Sequence, residues 1–314
     1  MRWRVLISAP YIIPVLPEYK DLFEANGIEI VVAKVNERLG EDEILALARD
    51  VDGIICGDDQ FSKEVLRACP RLRVISKWGT GIDSIDLEET RSLGVAVCNT
   101  PGAFTDPVAD TVMGYVLMLA RQLPWMDRDI RRGLWVKRPC VSLRECVLGV
   151  IGVGNIGRAV ISRAIAFGMQ VLGNDIKDVP ASFVSSTGLE MVSRDELLAR
   201  ADFVSLNCDL NPTSHHLIGS RELNLMKPGA YLINTSRGPV VDEPALIKAL
   251  QEHRIAGAAL DVFESEPLPL DSPLRSLDNC FLAPHNANSS PGAAERVHEN
   301  AIRNLIKGLQ NAGT

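Results

Sequence analysis

Short apolar runs alternate with helical patterns along the first hundred residues. "RVLISAP" (4–10), "IEIVVAKV" (28–35), "DGIICGD" (52–58), "LRVISKWG" (72–79) and "GVAVCNT" (94–100) read as strands. Each is rich in Val, Ile or Leu, and most are bounded by Gly, Pro, Asn or Asp. Helical stretches fall between them, near 17–26, 41–49, 62–69 and 86–93. Strands that are apolar throughout are buried on both faces, and alternation with helices makes the sheet parallel. A second series follows. Its strands are "CVLGVIGVG" (146–154), "MQVLGND" (169–175), "ADFVSLNCD" (201–209), "AYLINTSRG" (230–238), "IAGAALDVF" (255–263) and "NCFLAPH" (279–285). Its helices cover 155–168, 193–200, 219–226 and 242–252, and a last one covers 291–310. Between the two series lies "TDPVADTVMGYVLMLAR" (105–121), apolar over most of its circumference. Thr105 or Asp106 suits its cap and Pro107 its first turn. Such a helix is expected to be buried, at a domain junction or against another subunit.

A length of 314 residues allows two domains, each with its own core. The net charge of −7 argues against a nucleic-acid surface, which needs a basic stripe. No apolar run approaches 18 residues, so no membrane span is expected. Prolines interrupt the apolar N-terminal segment and no small-residue cleavage site follows it, so it reads as a first strand. The seven cysteines are odd in number and form no C-x-x-C pair. Reduced thiols in a cytoplasmic protein, with no metal site, are the expectation.

One motif carries chemistry on its own. Gly152-x-Gly154-x-x-Gly157 directly follows a strand and opens a helix. The first glycine permits the tight turn, the second lets the backbone approach a pyrophosphate, and the third allows close helix–strand packing. Asn155 and Ile156 share this loop, whose N–H groups would hold the anion. Asp175 comes 18 residues after Gly157, at the end of the next strand. A carboxylate there accepts hydrogen bonds from ribose hydroxyls and repels a 2′-phosphate, which points to NAD rather than NADP.

Seven segments in order, the glycine loop among them, carry a resemblance. They are "KWGTGIDSID" (77–86), "NTPGAF" (99–104), "RRGLW" (131–135), "VIGVGNIGRA" (150–159), "NTSRGPVVDE" (234–243), "ALDVFESEP" (259–267) and "APHNANSS" (283–290). With these the chain resembles the D-isomer-specific 2-hydroxyacid dehydrogenases, and most the D-3-phosphoglycerate dehydrogenase branch. The resemblance implies an α/β fold of two doubly wound parallel-sheet domains. A flavodoxin-like substrate domain would comprise 1–99 and 287–314, with a Rossmann NAD domain, 100–286, inserted between them. It implies hydride transfer between NAD and a short D-2-hydroxy acid, in a cleft that closes on the substrate.

The residue roles it implies match the chemistry. Arg237 can hold the substrate carboxylate and polarise the 2-oxo oxygen with its planar fork. His285 is the acid/base candidate, since imidazole titrates near neutrality. Glu266 would stabilise the imidazolium and orient the ring. Gly79, Thr80 and Gly81 would turn backbone N–H groups toward the carboxylate. Lys77 would add a cation for a distal phosphate or carboxylate; a solvated edge charge is its bland alternative. Cys208, Thr235 and Ser236 would line the cofactor, and Asp261 would meet the nicotinamide carboxamide. Asp86 reads as a helix cap. Glu264, His215 and His216 read as solvated surface groups, and His253 and His298 carry no assigned role. A homodimer through 105–135 is implied.

Departures from the family pattern stand at Phe104, Asn207, Asp209, Asn286 and Asn288. They leave the substrate open, with glyoxylate/hydroxypyruvate reductase as the alternative activity and a non-catalytic NAD(H)-sensing corepressor-like protein as the reading from another class. The last residue, Thr314, leaves no expectation of a C-terminal regulatory domain.

Overall fold

A computed structural model describes residues 3–312, so 1–2 and 313–314 of the expected substrate domain lie outside the described residues. The chain divides into two compact units. One comprises the segment up to Phe104 together with the segment from Ser290 onward, and the other is Thr105–Ser289. Both divisions fall slightly later than the boundaries the sequence suggests.

The first unit holds β1 (Trp3–Ile7), β2 (Ile28–Val32), β3 (Gly53–Cys56), β4 (Val74–Lys77) and β5 (Ala96–Cys98). All pair in parallel, in the order β2-β1-β3-β4-β5. This is the flavodoxin-like order. Val5, Leu6, Ile7, Ile54, Ile55, Val74 and Ile75 are fully buried, as strands covered on both faces must be. Helix Pro291–Ala312 returns to this sheet. The Ser76 hydroxyl donates to Ala301 O at 2.7 Å, and a Cβ at Gly308 would meet Val74 Cγ2 at 2.5 Å. The missing side chain is what lets the helix backbone approach the strand.

The second unit holds β6 (Val147–Ile151), β7 (Gln170–Asn174), β8 (Glu190–Met191), β9 (Phe203–Leu206), β10 (Tyr231–Asn234), β11 (Gly257–Leu260) and β12 (Cys280–Leu282). They too are all parallel, ordered β12-β11-β10-β9-β6-β7-β8. This is the doubly wound dinucleotide-binding order with one strand added. Helix Thr105–Ala120 buries Val108, Ala109, Val112, Met113, Val116 and Leu119. Its apolar residues share one core with Val150, Val160, Ile161, Ala164 and Phe203, so its own unit covers it.

The apolar pattern locates every strand except β8, a two-residue exposed edge. It overshoots each strand at the C-terminal end, because the site loops leave the sheet still extended and partly apolar. Two helices escape it. Leu123–Arg131 is short and charged, and Ala181–Thr187 is Ser/Thr-rich with no buried residue. Among the described residues no helix is long and apolar enough to cross a membrane.

Candidate active site

In the second unit the strand order reverses between β6 and β9, and the glycine loop follows β6 there. Gly152 has φ +90, and a Cβ on it would lie 2.7 Å from Asn207 C and Cys208 N. A Cβ at Gly157 would lie 2.0 Å from Gly152 O. Both glycines are therefore required by the protein itself. Gly154 is different: a Cβ there would meet nothing within 4 Å. It caps helix Asn155–Ala166, whose first-turn N–H groups have no intrahelical partner. Asn155 is exposed and Ile156 packs on the core behind. An empty approach at the one glycine that packing does not require fits a pyrophosphate.

Asp175 ends β7. One of its carboxylate oxygens accepts from Val153 N–H at 2.6 Å and the other from Lys177 N–H at 2.8 Å. The group is thereby fixed at the rim of the glycine loop, with lone pairs left for a ribose. Two polar atoms here are buried without a hydrogen-bond partner among the described residues, Asn207 Oδ1 and Thr235 Oγ1. Asn207 follows β9 and Thr235 follows β10. Buried polar atoms are rarely left unpaired, and a polar ligand would satisfy these two. Cys208 is half-buried, and burial pushes its thiol up to about 11, which keeps it protonated beside that lining. The dinucleotide cofactor thus fits the residues present.

The loop after β10 carries Arg237. Buried Asn234 builds the turn: its Oδ1 accepts from the Ser236 N–H and hydroxyl, at 3.0 and 2.8 Å, and its Nδ2 donates to Arg237 O at 2.9 Å. The Ser236 hydroxyl is committed to this turn. Gly238 then presses against the next loop, since a Cβ on it would lie 1.9 Å from Phe263 O. That contact joins the Arg237 turn to the segment bearing Glu266. Glu266 Oε1 accepts from Phe263 N–H at 2.9 Å, and Oε2 lies 2.8 Å from His285 Nδ1.

His285 sits in the left-handed region, φ +49, which a non-glycine residue holds only when its surroundings compel it. Asp261 supplies the compulsion. Its backbone carbonyl accepts from His285 N–H at 2.8 Å. Its two carboxylate oxygens accept from the Asn286 and Ala287 N–H groups, both at 2.9 Å. Asp261 is 1% exposed. The geometry makes it the cradle of the His285 turn, a role the sequence did not suggest.

Three other placements differ from expectation. Glu264 and His216 are not merely solvated: the Glu264 carboxylate lies 2.8 Å from His216 Nε2 and accepts from Glu243 N–H at 3.2 Å. It ties the Glu266 loop to the start of helix Glu243–Gln251. Lys77 is 2% exposed, its ammonium donating to Gly57 O and Asp58, so it is no solvated edge charge. His298 is buried and accepts from the Trp78 indole N–H at 2.9 Å. Asp86 caps its helix as read, accepting from Glu89 N–H at 2.8 Å.

In the first unit the loop after β4 has Gly79 at φ +137. Gly79 O accepts from the Thr100 N–H and hydroxyl at 2.9 and 2.8 Å, and Thr80 O accepts from Asn99 Nδ2 at 2.6 Å. A trans peptide points its N–H opposite its C=O. Anchoring these two carbonyls therefore aims the Thr80 and Gly81 N–H groups together in the other direction, the arrangement of an anion nest.

Fold and loops define a dinucleotide-dependent oxidoreductase of the doubly wound class. The sequence model of the D-isomer-specific 2-hydroxyacid dehydrogenase family, NAD-binding domain, matches residues 113–287. A glyoxylate reductase of Thermofilum pendens is 42% identical over 276 residues, 86% of this chain and 81% of that protein. A D-3-phosphoglycerate dehydrogenase of Methanocaldococcus jannaschii is 37% identical over 92% of this chain but only 55% of its own length. The crystal structure of Aquifex aeolicus D-lactate dehydrogenase, complexed with NAD and lactic acid, superposes with TM-score 0.87 at 28% identity, covering 98% of this chain and 96% of that one. The chain belongs to the D-isomer-specific 2-hydroxyacid dehydrogenase family. It is an NAD-dependent oxidoreductase of 2-hydroxy and 2-oxo acids.

Proposed function

We propose that this chain reduces a small 2-oxo acid, glyoxylate or hydroxypyruvate, to the 2-hydroxy acid. This puts the phosphoglycerate reading second. The observation that carries the order is Lys77, the sequence's candidate for a distal phosphate, whose ammonium is buried against Asp58 and Gly57 O. The glyoxylate reductase relative at 42% identity supports it, against 37% for the phosphoglycerate dehydrogenase.

Bound NADH would supply the hydride. Arg237 holds the substrate carboxylate and draws charge from the 2-oxo oxygen. His285 gives the proton that this oxygen needs as it becomes a hydroxyl. Glu266, on Nδ1, fixes the ring's tautomer and leaves proton exchange to Nε2. Asp261 holds the turn that presents the ring. In the first unit, the Thr80 and Gly81 N–H groups make an anion nest suited to a carboxylate. The test is NADH consumption with glyoxylate, hydroxypyruvate, pyruvate and phosphohydroxypyruvate. Preference for the phosphorylated acid would overturn the order of the two readings.

A homodimer through the 105–135 region is part of the proposal. Ile130, Leu134, Trp135 and Val136 are 55%, 50%, 84% and 52% exposed, an apolar set that water tolerates poorly. Light scattering on Trp135→Ser, set against the parent protein, tests it. A cytoplasmic location is supported by seven cysteines, none in a disulfide.

A further inference from the structure

The residue before the anion nest is Trp78, and around it the first unit assembles an aromatic cluster. Tyr11 stacks on the Trp78 indole with ring centroids 4.9 Å apart and planes at 27°. Phe104 packs at 5.7 Å and His298 at 5.6 Å. Trp78 and Phe104 are each 7% exposed, while Tyr11 keeps 53% of its surface. The indole is locked at both ends. Its backbone N–H donates to Cys56 O at 2.8 Å, and its ring N–H donates to His298 Nδ1 at 2.9 Å. A tryptophan N–H only donates, so His298 must present a bare nitrogen. Burial, which lowers the His298 pKa against the opposing pull of Glu18 and Glu295, favours the neutral ring that can accept.

Besides the oxo oxygen, the reacting carbon of a 2-oxo acid carries two groups, the carboxylate and the side chain. Once the Thr80 and Gly81 N–H groups hold the carboxylate, the side chain lies within a few bonds of this loop. The cluster flanks the loop on the chain's own path, through Trp78 before it and Phe104 after Asn99 and Thr100. Rigid aromatic faces offer a charged or phosphorylated side chain no hydrogen-bond donor, and desolvating such a group without a partner is costly. The neighbouring cation cannot compensate, because the Lys77 ammonium is held by Asp58 and Gly57 O.

We propose that Tyr11, Trp78 and Phe104, with His298 as the positioning residue for Trp78, form the wall that selects the substrate side chain, admitting short uncharged groups and excluding long or phosphorylated ones. The proposal rests on the reading that the 79–81 loop holds the carboxylate.

The test is kcat/KM of the NADH-supplied enzyme for glyoxylate, pyruvate, 2-oxohexanoate and phosphohydroxypyruvate. Trp78→Ala should raise the ratio of 2-oxohexanoate to glyoxylate by about tenfold or more, the scale on which apolar pockets discriminate side chains. His298→Leu should move the same ratio in the same direction, chiefly through KM, and His298→Asn, which restores an acceptor, should return it. Tyr11 is half exposed, so Tyr11→Ala decides the matter if Trp78→Ala does not fold. An unchanged ratio in the folded variants, or a parent enzyme that prefers phosphohydroxypyruvate, overturns the wall. A parent enzyme that binds NADH yet reduces none of the four acids overturns the proposed function, and the wall with it.

Discussion

The two sheets reverse their strand order at different-looking places, between β1 and β3 in the first unit and between β6 and β9 in the second. Doubly wound sheets open a crevice at that point, outside the carboxyl ends of the strands. In the first unit a side chain bridges the loops at that point. Ser8, after β1, donates to Asp59, after β3, at 2.5 Å, and Leu39 N–H donates to the other Asp59 oxygen at 2.6 Å. In the second unit Gly152 and Asn207 flank it, and the buried Asn207 amide oxygen has no partner among the described residues. The first unit places its anion nest one strand over, after β4. Topology thus offers a crevice in both units, and side chains decide which becomes a site. A carboxylate in the first does what a ligand would do in the second.

Four substitutions sharpen this contrast. Gly157→Ala should have the largest effect. Its Cβ would meet Gly152 O at 2.0 Å, so the loop or helix must move, costing about 3 kcal/mol. NADH titration should show a loss of roughly a hundredfold in affinity, with a lowered Tm. Gly154→Val should separate fold from binding. Its side chain enters open space, so Tm should stay within about a degree while NADH affinity falls on the order of tenfold or more. Equal affinity would mean that no pyrophosphate approaches there.

Gly79→Ala acts on the other loop. Forcing a side chain to φ +137 costs about 1–3 kcal/mol. KM for the oxo acid should rise by roughly tenfold while the NADH dissociation constant holds. A parallel loss of NADH binding would contradict the division of labour between the loops.

Asp59→Asn should have the smallest effect, visible only in a pH series. Burial raises the Asp59 carboxyl above the usual carboxylate range, against the opposing pull of Leu39 N–H and the Ser8 hydroxyl. A raised folded-state pKa contributes stability that is present below the unfolded value and lost as pH rises through the folded one. Denaturant unfolding of the parent relative to Asp59→Asn should therefore show the parent losing ground as pH rises through the acidic range. A difference that does not vary with pH would mean Asp59 ionises as freely folded as unfolded.

The two anion loops also differ in how far sequence discloses them. Gly152, Gly154 and Gly157 carry a spacing whose purpose follows from strand, turn and helix, so the motif can be read from residues alone. The nest at 79–81 has no such spacing. Its N–H groups are aimed by carbonyls anchored to Asn99 and Thr100, some 20 residues away, and only family resemblance pointed there. Asp261 was singled out for the cofactor, but its cradle for the His285 turn escaped for the same reason: it is a contact across 25 residues. Lys77 read as a cation for a distal phosphate or carboxylate, because sequence shows charge but not the Asp58 that meets it. His298, on the far side of the chain from Trp78, gave no local sign of its partner.

The most direct measurement compares the parent enzyme with His285→Gln, reading NADH affinity and NADH-dependent reduction of glyoxylate on the same preparations. The account predicts turnover lower by about a hundredfold or more, as for loss of a general acid, with NADH affinity within about twofold. Turnover that stays within a few-fold of the parent, or that falls only in step with NADH binding, would contradict it.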